Sequence, residues 1–147
     1  SPDLVKLMCN AAQIELPWKQ HGRDIRPLLK NPETTDWKQP MMMEHMGHYF
    51  GSDTDAIPTD KRLTEEQNGP WWVLLRDGKY KYIRNLQKDE TEELYDLEAD
   101  PEELVNLAMK DEHRKLLKSL REKTVEELHR TEAGFADSLP RTKQMKK

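Results

Sequence analysis

A carboxylate and two histidines are the first residues in this sequence whose types and spacing could do chemistry. Glu44, His45 and His48 end a short apolar run in the pattern Glu-His-x-x-His. Imidazole can donate a hydrogen bond to a bound substrate in its neutral or its charged form, and all three side chains are also zinc-ligand types. The pattern has no second ligand pair, so zinc is the weaker alternative. A third alternative is that both histidines only form hydrogen bonds within a loop at the end of a strand.

Two further patterns could bind ligands. Asp53 and Asp55 suggest a calcium loop, but the glycine and the terminal glutamate that such a loop needs are missing. Trp71 and Trp72, which are followed by several basic residues, could form a stacking platform for carbohydrate or nucleic acid. Because neighbouring residues of a strand point to opposite faces, the two tryptophans cannot share one platform. We therefore expect core packing for one of them and contact with a further domain for the other.

Composition narrows the possible functions. The chain has 147 residues, a formal net charge of -4 and only 35% hydrophobic residues. Interleaved charges of both signs favour neither a nucleic-acid backbone nor an anionic membrane surface as a partner. The longest apolar run, residues 71–75, is far shorter than the roughly 20 residues of a membrane-spanning helix. The single cysteine, Cys9, excludes an internal disulfide and a zinc site of several cysteines, but leaves the compartment open.

Residues 1–40 read as helical. Ser1 and Pro2 have the residue types of a helix start, and the apolar side chains that follow fall on one face. These apolar residues are Leu4, Leu7, Met8, Ala11 and Ala12. Asp24 predicts the start of a shorter helix that ends before Pro32. That helix is expected to bury Ile25, Leu28 and Leu29.

Residues 41–97 read as a sheet. Strands are predicted at 41–46, 71–76, 79–84 and 92–97, and Asp77-Gly78 suits a type I′ turn between the second and the third. Alternation predicts one face with Trp71, Val73, Leu75, Tyr80 and Tyr82, and another with Trp72, Leu74, Lys81 and Ile83. Both faces are expected to be covered. Residues 51–70 have almost no apolar periodicity, which predicts a mobile loop.

The last third of the chain reads as helical. Asp100, Pro101 and Glu103 form a capping pattern, which predicts a helix that buries Leu104, Leu107 and Ala108. From about residue 111 a longer helix is predicted, with a stop near Gly134. Its apolar stripe is Leu116, Leu117, Leu120, Thr124 and Leu128. The sequence thus predicts an α+β fold in which an antiparallel sheet of three to four strands packs against this long helix. We expect three regions: a helical segment at 1–40, an α+β subdomain at 41–134 and a frayed basic tail at 135–147.

Several stretches resemble the C-terminal region of type I, formylglycine-dependent sulfatases of the arylsulfatase-like family. They are Ala-Ala-Gln-Ile-Glu-Leu-Pro at 11–17, His-Gly-Arg-Asp-Ile-Arg-Pro-Leu-Leu at 21–29, Lys-Tyr-Lys-Tyr-Ile at 79–83 and Glu-Leu-Tyr-Asp-Leu-Glu-Ala-Asp-Pro-Glu-Glu-Leu-Val-Asn-Leu-Ala at 93–108. The last stretch is the most specific. The resemblance implies the C-terminal subdomain of an alkaline-phosphatase-like enzyme, with about four antiparallel strands beside a long helix.

The resemblance also implies an activity that we do not expect this chain to perform alone. Such enzymes hydrolyse sulfate esters with a formylglycine, made within Cys/Ser-x-Pro-Ser-Arg, and with a calcium ion held by Asp and Asn residues. Cys9 does not begin that motif and no serine does either. We therefore assign no catalytic or metal-binding residue here, and expect the formylglycine and the calcium in a catalytic domain N-terminal to Ser1. The start at a helix cap without an initiator Met favours a truncated chain.

The same resemblance implies a role for the histidines. The strand around Glu44 ends near the sulfatase pocket in the family, so His45 and His48 are expected to bind substrate by donating hydrogen bonds to its sulfate or leaving group. The expected partners are the catalytic domain and a sulfated small molecule or carbohydrate, and a periplasmic or secreted location is favoured. The alternative is a free-standing, non-catalytic interaction domain that binds a protein or a sulfated carbohydrate.

Overall fold

The computed structural model describes residues 2–33, 36–59 and 70–143. The chain divides into two units, Ser1–Lys38 and Gln39–Lys147. Among the described helices, none is long and apolar enough to cross a membrane.

The first unit contains the two short helices that the sequence predicts. Helix α1 spans Pro2–Ala12 and helix α2 spans Arg26–Lys30. The Asp24 carboxylate accepts a hydrogen bond from the Arg26 amide at 3.1 Å, so the side chain predicted to start α2 does bind its first turn. The expected burial of Leu29 is wrong, because 64% of this residue is exposed. Five residues form too short a helix to bury a full apolar face.

The second unit is built on a four-stranded antiparallel sheet in the order β1-β2-β3-β4. The strands are β1 Met41–His45, β2 Trp72–Asp77, β3 Tyr80–Asn85 and β4 Glu93–Asp96. The bounds of β1 and β4 fall inside the predicted strands, and β2 and β3 each begin and end one residue later than predicted. Together with the long C-terminal helix, these strands confirm the predicted α+β fold.

The β2–β3 turn lies one residue later than predicted. Gly78 and Lys79 are its two central residues, since Asp77 pairs with Tyr80. Gly78 has a φ of 58°, and a left-handed glycine at the first central position is typical of a type II′ turn rather than type I′. Leu75 therefore pairs with Tyr82 instead of Tyr80. A shift of two residues keeps every side chain on its predicted face.

Helix α3, Arg114–Arg130, packs on one face of this sheet. Its buried apolar side chains belong to the predicted stripe, and Leu116 at the edge is partly buried. The core divides into two clusters. One contains Leu75, Tyr82, Leu94, Leu117 and Leu120, and the other Trp71, Val73, Leu86, Leu128, Phe135 and Ala136. The second sheet face is less covered than expected: Met41 and Met43 are half exposed.

The helix predicted to begin at Asp100 is absent from residues 101–106, and only a 3-10 turn forms at Leu107–Met109. The Asp100 carboxylate instead accepts hydrogen bonds from the amides of Leu104 and Val105. Glu103 has a φ of 57°, which a right-handed helix does not accommodate. The predicted burial of Leu104 is therefore wrong, since this residue is 75% exposed.

The segment after α3 is packed, contrary to the prediction of a frayed tail. Phe135 and Ala136 are buried in the core. Backbone hydrogen bonds of 2.9 Å join the Asp89 amide to the Arg141 carbonyl and the Lys143 amide to the Glu90 carbonyl. Apolar residues inside a basic segment explain the difference, because they bury surface that the charges alone would leave in water. Residues 144–147 lie outside the described part of the chain.

The predicted mobile loop at 51–70 is described only over 51–59 and at 70. Gly51–Thr54 forms a 3-10 turn, Asp55 lies against Gly134, and Ile57 packs on the core. The start of this segment is therefore attached to the subdomain. Residues 60–69 lie outside the described part.

Candidate functional site

His45 lies at the end of β1 with its ring fixed against Trp72. The two residues are direct partners in the β1–β2 register, so their side chains lie on the same face. Their ring centroids are 5.3 Å apart and their planes differ by 19°, which is a stacked arrangement. Trp72 contacts the face of the imidazole ring, so this stacking does not itself occupy the ring edge, which carries both nitrogen atoms.

His48 follows in the turn that leaves β1. Gly47 has a φ of 61°, and the Tyr49 amide donates to the Met46 carbonyl at 3.2 Å. The Tyr49 ring packs edge-on against buried Trp71 at 5.2 Å, which attaches the turn to the core. His48 itself is exposed. The structure therefore places both sequence-predicted site residues at one end of the sheet, His45 fixed by stacking and His48 on an anchored turn.

The metal alternatives find no support in the described residues. Among them, no group of three or more His, Cys, Asp or Glu side chains could hold a metal ion. Glu44 and His45 are successive strand residues, so their side chains point to opposite faces of the sheet. Asp53 lies in the 3-10 turn, whereas Asp55 contacts Gly134. The calcium that the family resemblance implies is expected in the catalytic domain and not at these side chains.

The tryptophan pair does not form a stacking platform. Trp71 is buried and packs against Phe135, whereas Trp72 lies on the other face against His45. The neighbouring lysines form ion pairs: Lys79 with Asp96 at 2.7 Å and Lys81 with Glu103 at 2.5 Å. The prediction that core packing outweighs a platform is confirmed for Trp71.

The sequence patterns did not predict a buried ionic network beneath the sheet. Glu92 is only 4% exposed and accepts hydrogen bonds from the Tyr82 hydroxyl and from Nε and Nη2 of Arg121. Burial raises the pKa of this carboxyl, but the hydrogen bonds from Arg121 and Tyr82 outweigh burial and hold the pKa below its usual value. The hydrogen bond to Glu92 raises the pKa of Arg121, and burial raises the pKa of Tyr82. The sequence carries one indication of this network. Arg121 lies four residues after Leu117 of the apolar stripe, and residues four apart are neighbours on a helix surface.

Comparison with known proteins agrees with this geometry. A four-stranded antiparallel sheet with a C-terminal helix across it is the architecture of sulfatase C-terminal subdomains. The chain belongs to the family described as N-sulphoglucosamine sulphohydrolase, C-terminal, which it matches over residues 2–131. The predicted membership of the sulfatases is thereby confirmed.

Two curated relatives are sulfatases. The chain is 27% identical over 135 residues to an arylsulfatase of Clostridium perfringens, covering 92% of this chain and 24% of the relative. It is 28% identical over 115 residues to a delta 4,5-hexuronate-2-O-sulfatase of Bacteroides thetaiotaomicron, covering 78% of this chain and 20% of that relative. The chain thus spans about a quarter or less of the length of these enzymes.

Solved structures share the fold. One, in complex with its substrate D-glucosamine-2-N,6-O-disulfate, has a TM-score of 0.68 at 20% identity, covering 92% of this chain and 25% of its own. A phosphonate monoester hydrolase of Agrobacterium radiobacter has a TM-score of 0.61 at 21% identity, covering 86% of this chain and 24% of its own. The fold therefore occurs in hydrolases of more than one ester class.

Proposed function

We propose that this chain is the C-terminal domain of an enzyme that hydrolyses sulfate esters, where it stabilises the catalytic domain and forms one wall of the substrate pocket. The observation that carries the pocket role is the stacking of His45 on Trp72 at the end of β1. Stacking fixes the imidazole plane, and a fixed donor binds a sulfate oxygen without losing side-chain freedom.

Sulfate is the ester class that the relatives favour. The fold also occurs in a phosphonate monoester hydrolase, so the fold alone does not select the ester. Both curated relatives are sulfatases, and the structural neighbour with a bound substrate holds a doubly sulfated glucosamine. A sulfated carbohydrate is therefore the substrate class proposed for the whole enzyme.

His45 and His48 act as substrate-binding residues in this proposal. Imidazole donates a hydrogen bond in its neutral form and in its charged form, and a charged donor strengthens the bond to an anionic sulfate. Neither histidine needs to act as a nucleophile or a proton carrier. Trp72 has a positioning role, because its ring holds the His45 imidazole.

The chemical step belongs to residues outside this chain. Among the described residues, no cluster fits a metal ion, and Cys9 does not begin a formylglycine motif. We place the calcium and the formylglycine in the catalytic domain, where they would stabilise the developing charge and supply the nucleophile.

The contact with the catalytic domain is proposed for the sheet face opposite α3. Met41 and Met43 of β1 are half exposed on this face, and Trp72 lies on the same face in the neighbouring strand β2. Half-exposed apolar side chains on a sheet face favour a protein contact. A pocket at the domain boundary would then bring His45 close to both the substrate and the partner domain.

The coding sequence upstream of the Ser1 codon tests this proposal. We expect an in-frame Cys/Ser-x-Pro-Ser-Arg motif together with Asp-rich metal-ligand segments, and sulfate ester hydrolysis by the protein that contains them. A start codon immediately before Ser1 would contradict the proposal, and would favour a free-standing domain that binds a protein or a sulfated carbohydrate.

A further inference from the structure

Three arginine side chains line one depression in the second unit. This cavity has a volume of about 550 Å³ and is lined by Arg84, Arg121 and Arg141, with Asp89 and Thr142. Asp89 in the lining and Glu92, which pairs with Arg121, offset two of the three guanidinium charges, so the site keeps a net positive charge. Guanidinium groups match the geometry of tetrahedral oxyanions, and the Thr142 hydroxyl is a further donor type.

The surrounding structure holds two of the guanidinium groups in place and anchors the backbone of the third arginine. Two hydrogen bonds to Glu92 fix Arg121, and Nη2 of Arg84 donates to the Pro140 carbonyl at 2.8 Å. The backbone of Arg141 is paired with that of Asp89. The site is therefore formed before any ligand arrives, which lowers the entropy lost on binding.

Hydrogen-bonding capacity at the site is unused. Nε of Arg84 is buried without a hydrogen-bond partner in the described structure. A buried donor without an acceptor is unfavourable. An oxyanion in the depression would supply acceptor oxygens to the guanidinium nitrogens that face it, in charge-assisted bonds that are stronger than neutral ones.

We propose that this depression binds the sulfate group of a sulfated saccharide, as a second contact distinct from the histidine site. The saccharide part of this inference rests on the proposed function. Arg84 directly precedes Asn85 in β3. Asn85 pairs with Trp72 of β2, and Trp72 pairs with His45 of β1. The two sites thus share one end of the sheet, two strands or about 10 Å apart, and their side chains lie on opposite faces.

Nuclear magnetic resonance of the 15N-labelled 147-residue chain tests the site. The arginine Nε–H signals are followed during titration with sodium sulfate, with sodium phosphate and with D-glucosamine-2-N,6-O-disulfate. Sodium chloride at matched ionic strength is the reference. We expect saturable shifts of the Arg84 and Arg141 signals with sulfate and with the disulfated sugar. Shifts that do not saturate, or that chloride reproduces, would overturn the site. Tighter binding of phosphate than of both sulfate ligands would overturn the sulfate assignment.

Charge variants sharpen the test. Arg141→Gln should weaken sulfate binding about tenfold, because it removes one charged donor. Asp89→Asn should tighten binding by removing the one carboxylate of the lining, and asparagine tolerates the φ of 62° at this position. Lys115→Gln removes the same charge from an exposed position of α3, six residues before Arg121, and should leave the affinity unchanged. Unchanged affinity in both Arg141→Gln and Asp89→Asn would contradict the site.

The two proposals fail separately. Inorganic sulfate binding requires no hydrolysis, so a failed titration removes this site and leaves the sulfatase proposal in place. Missing hydrolytic activity, with saturable sulfate binding retained, contradicts only the proposed function. The Asp89→Asn gain in affinity also cannot result from partial unfolding of the variant.

Discussion

Glu92, just before β4, and Arg121, on α3, form a two-bond ion pair at the boundary between the sheet and the helix. The carboxylate is buried, whereas the arginine side chain is 39% exposed. This pair joins the two layers of the subdomain from inside, next to the Tyr82 hydroxyl that also donates to Glu92.

Replacing the arginine should therefore destabilise the fold. Arg121→Met leaves the Glu92 charge buried with only Tyr82 as a described partner, and we expect a loss of about 2 to 3 kcal/mol in the free energy of unfolding. Urea unfolding of the purified chain measures it. Arg114→Met breaks the exposed pair with Asp111 and should change stability by less than about 0.5 kcal/mol. Equal losses in the two variants would contradict the assigned role of Arg121.

Stability should also depend on pH through Glu92. The pKa of this carboxyl is lower in the folded state than its usual 4.5, so the folded protein favours the charged form. The stabilisation is complete above the unfolded pKa and is lost as the pH falls through the folded pKa. Urea midpoints from about pH 7 downwards measure the loss. We expect the gap between the wild type and Glu92→Gln to narrow as the pH falls; a constant gap would refute this origin.

Gly134 should not tolerate a side chain. A Cβ at this position would lie 2.7 Å from Oδ1 and 2.8 Å from Cα of Asp55, so Gly134→Ala must displace backbone. The expected loss is about 1 to 3 kcal/mol, which urea unfolding can measure. Ala99→Ser also adds one heavy atom, at an exposed position, and should be neutral. A neutral Gly134→Ala would mean that residues 51–59 do not pack on the segment after α3.

Trp72 should affect substrate binding without touching the reacting atoms. In the enzyme that carries this chain, Trp72→Leu removes the ring that holds His45, and we expect a higher KM for a sulfated substrate with a smaller change in kcat. Trp18→Leu is the matched control, since Trp18 is 61% exposed in the first unit. The same KM in both variants would show that stacking does not position His45.

The sequence predicted the sheet and its faces because local signals determined them. The face of a strand residue depends only on whether its position is odd or even, and a register shift of two residues leaves this unchanged. The buried side chains Val73, Leu75 and Tyr82 were therefore assigned to the correct face although the turn lies one residue later than predicted. The stripe of α3 was equally local, since its period of about 3.6 residues is visible in the sequence.

The predictions that proved wrong concern segments whose structure depends on contacts with residues distant in the sequence. Asn106 donates to the Glu92 carbonyl and accepts from the Leu94 amide, and both bonds hold the segment before it out of the predicted helix. The packing of Phe135 and the arginine-lined depression likewise depend on segments far apart in the chain. His45 and His48 could be proposed as site residues from the sequence because Glu-His-x-x-His is contiguous, but the stacking of His45 on Trp72 depends on the register of two strands.

Steady-state kinetics of His45→Ala in the whole enzyme tests the central claim most directly. If His45 donates a hydrogen bond to an anionic substrate, kcat/KM for a sulfate ester should fall about tenfold or more while the thermal midpoint stays close to that of the wild type. His48→Ala is measured in parallel, and His129→Ala, at an exposed position near the end of α3, should match the wild type. Wild-type turnover and affinity in both His45→Ala and His48→Ala would contradict the account and remove this chain from the substrate pocket.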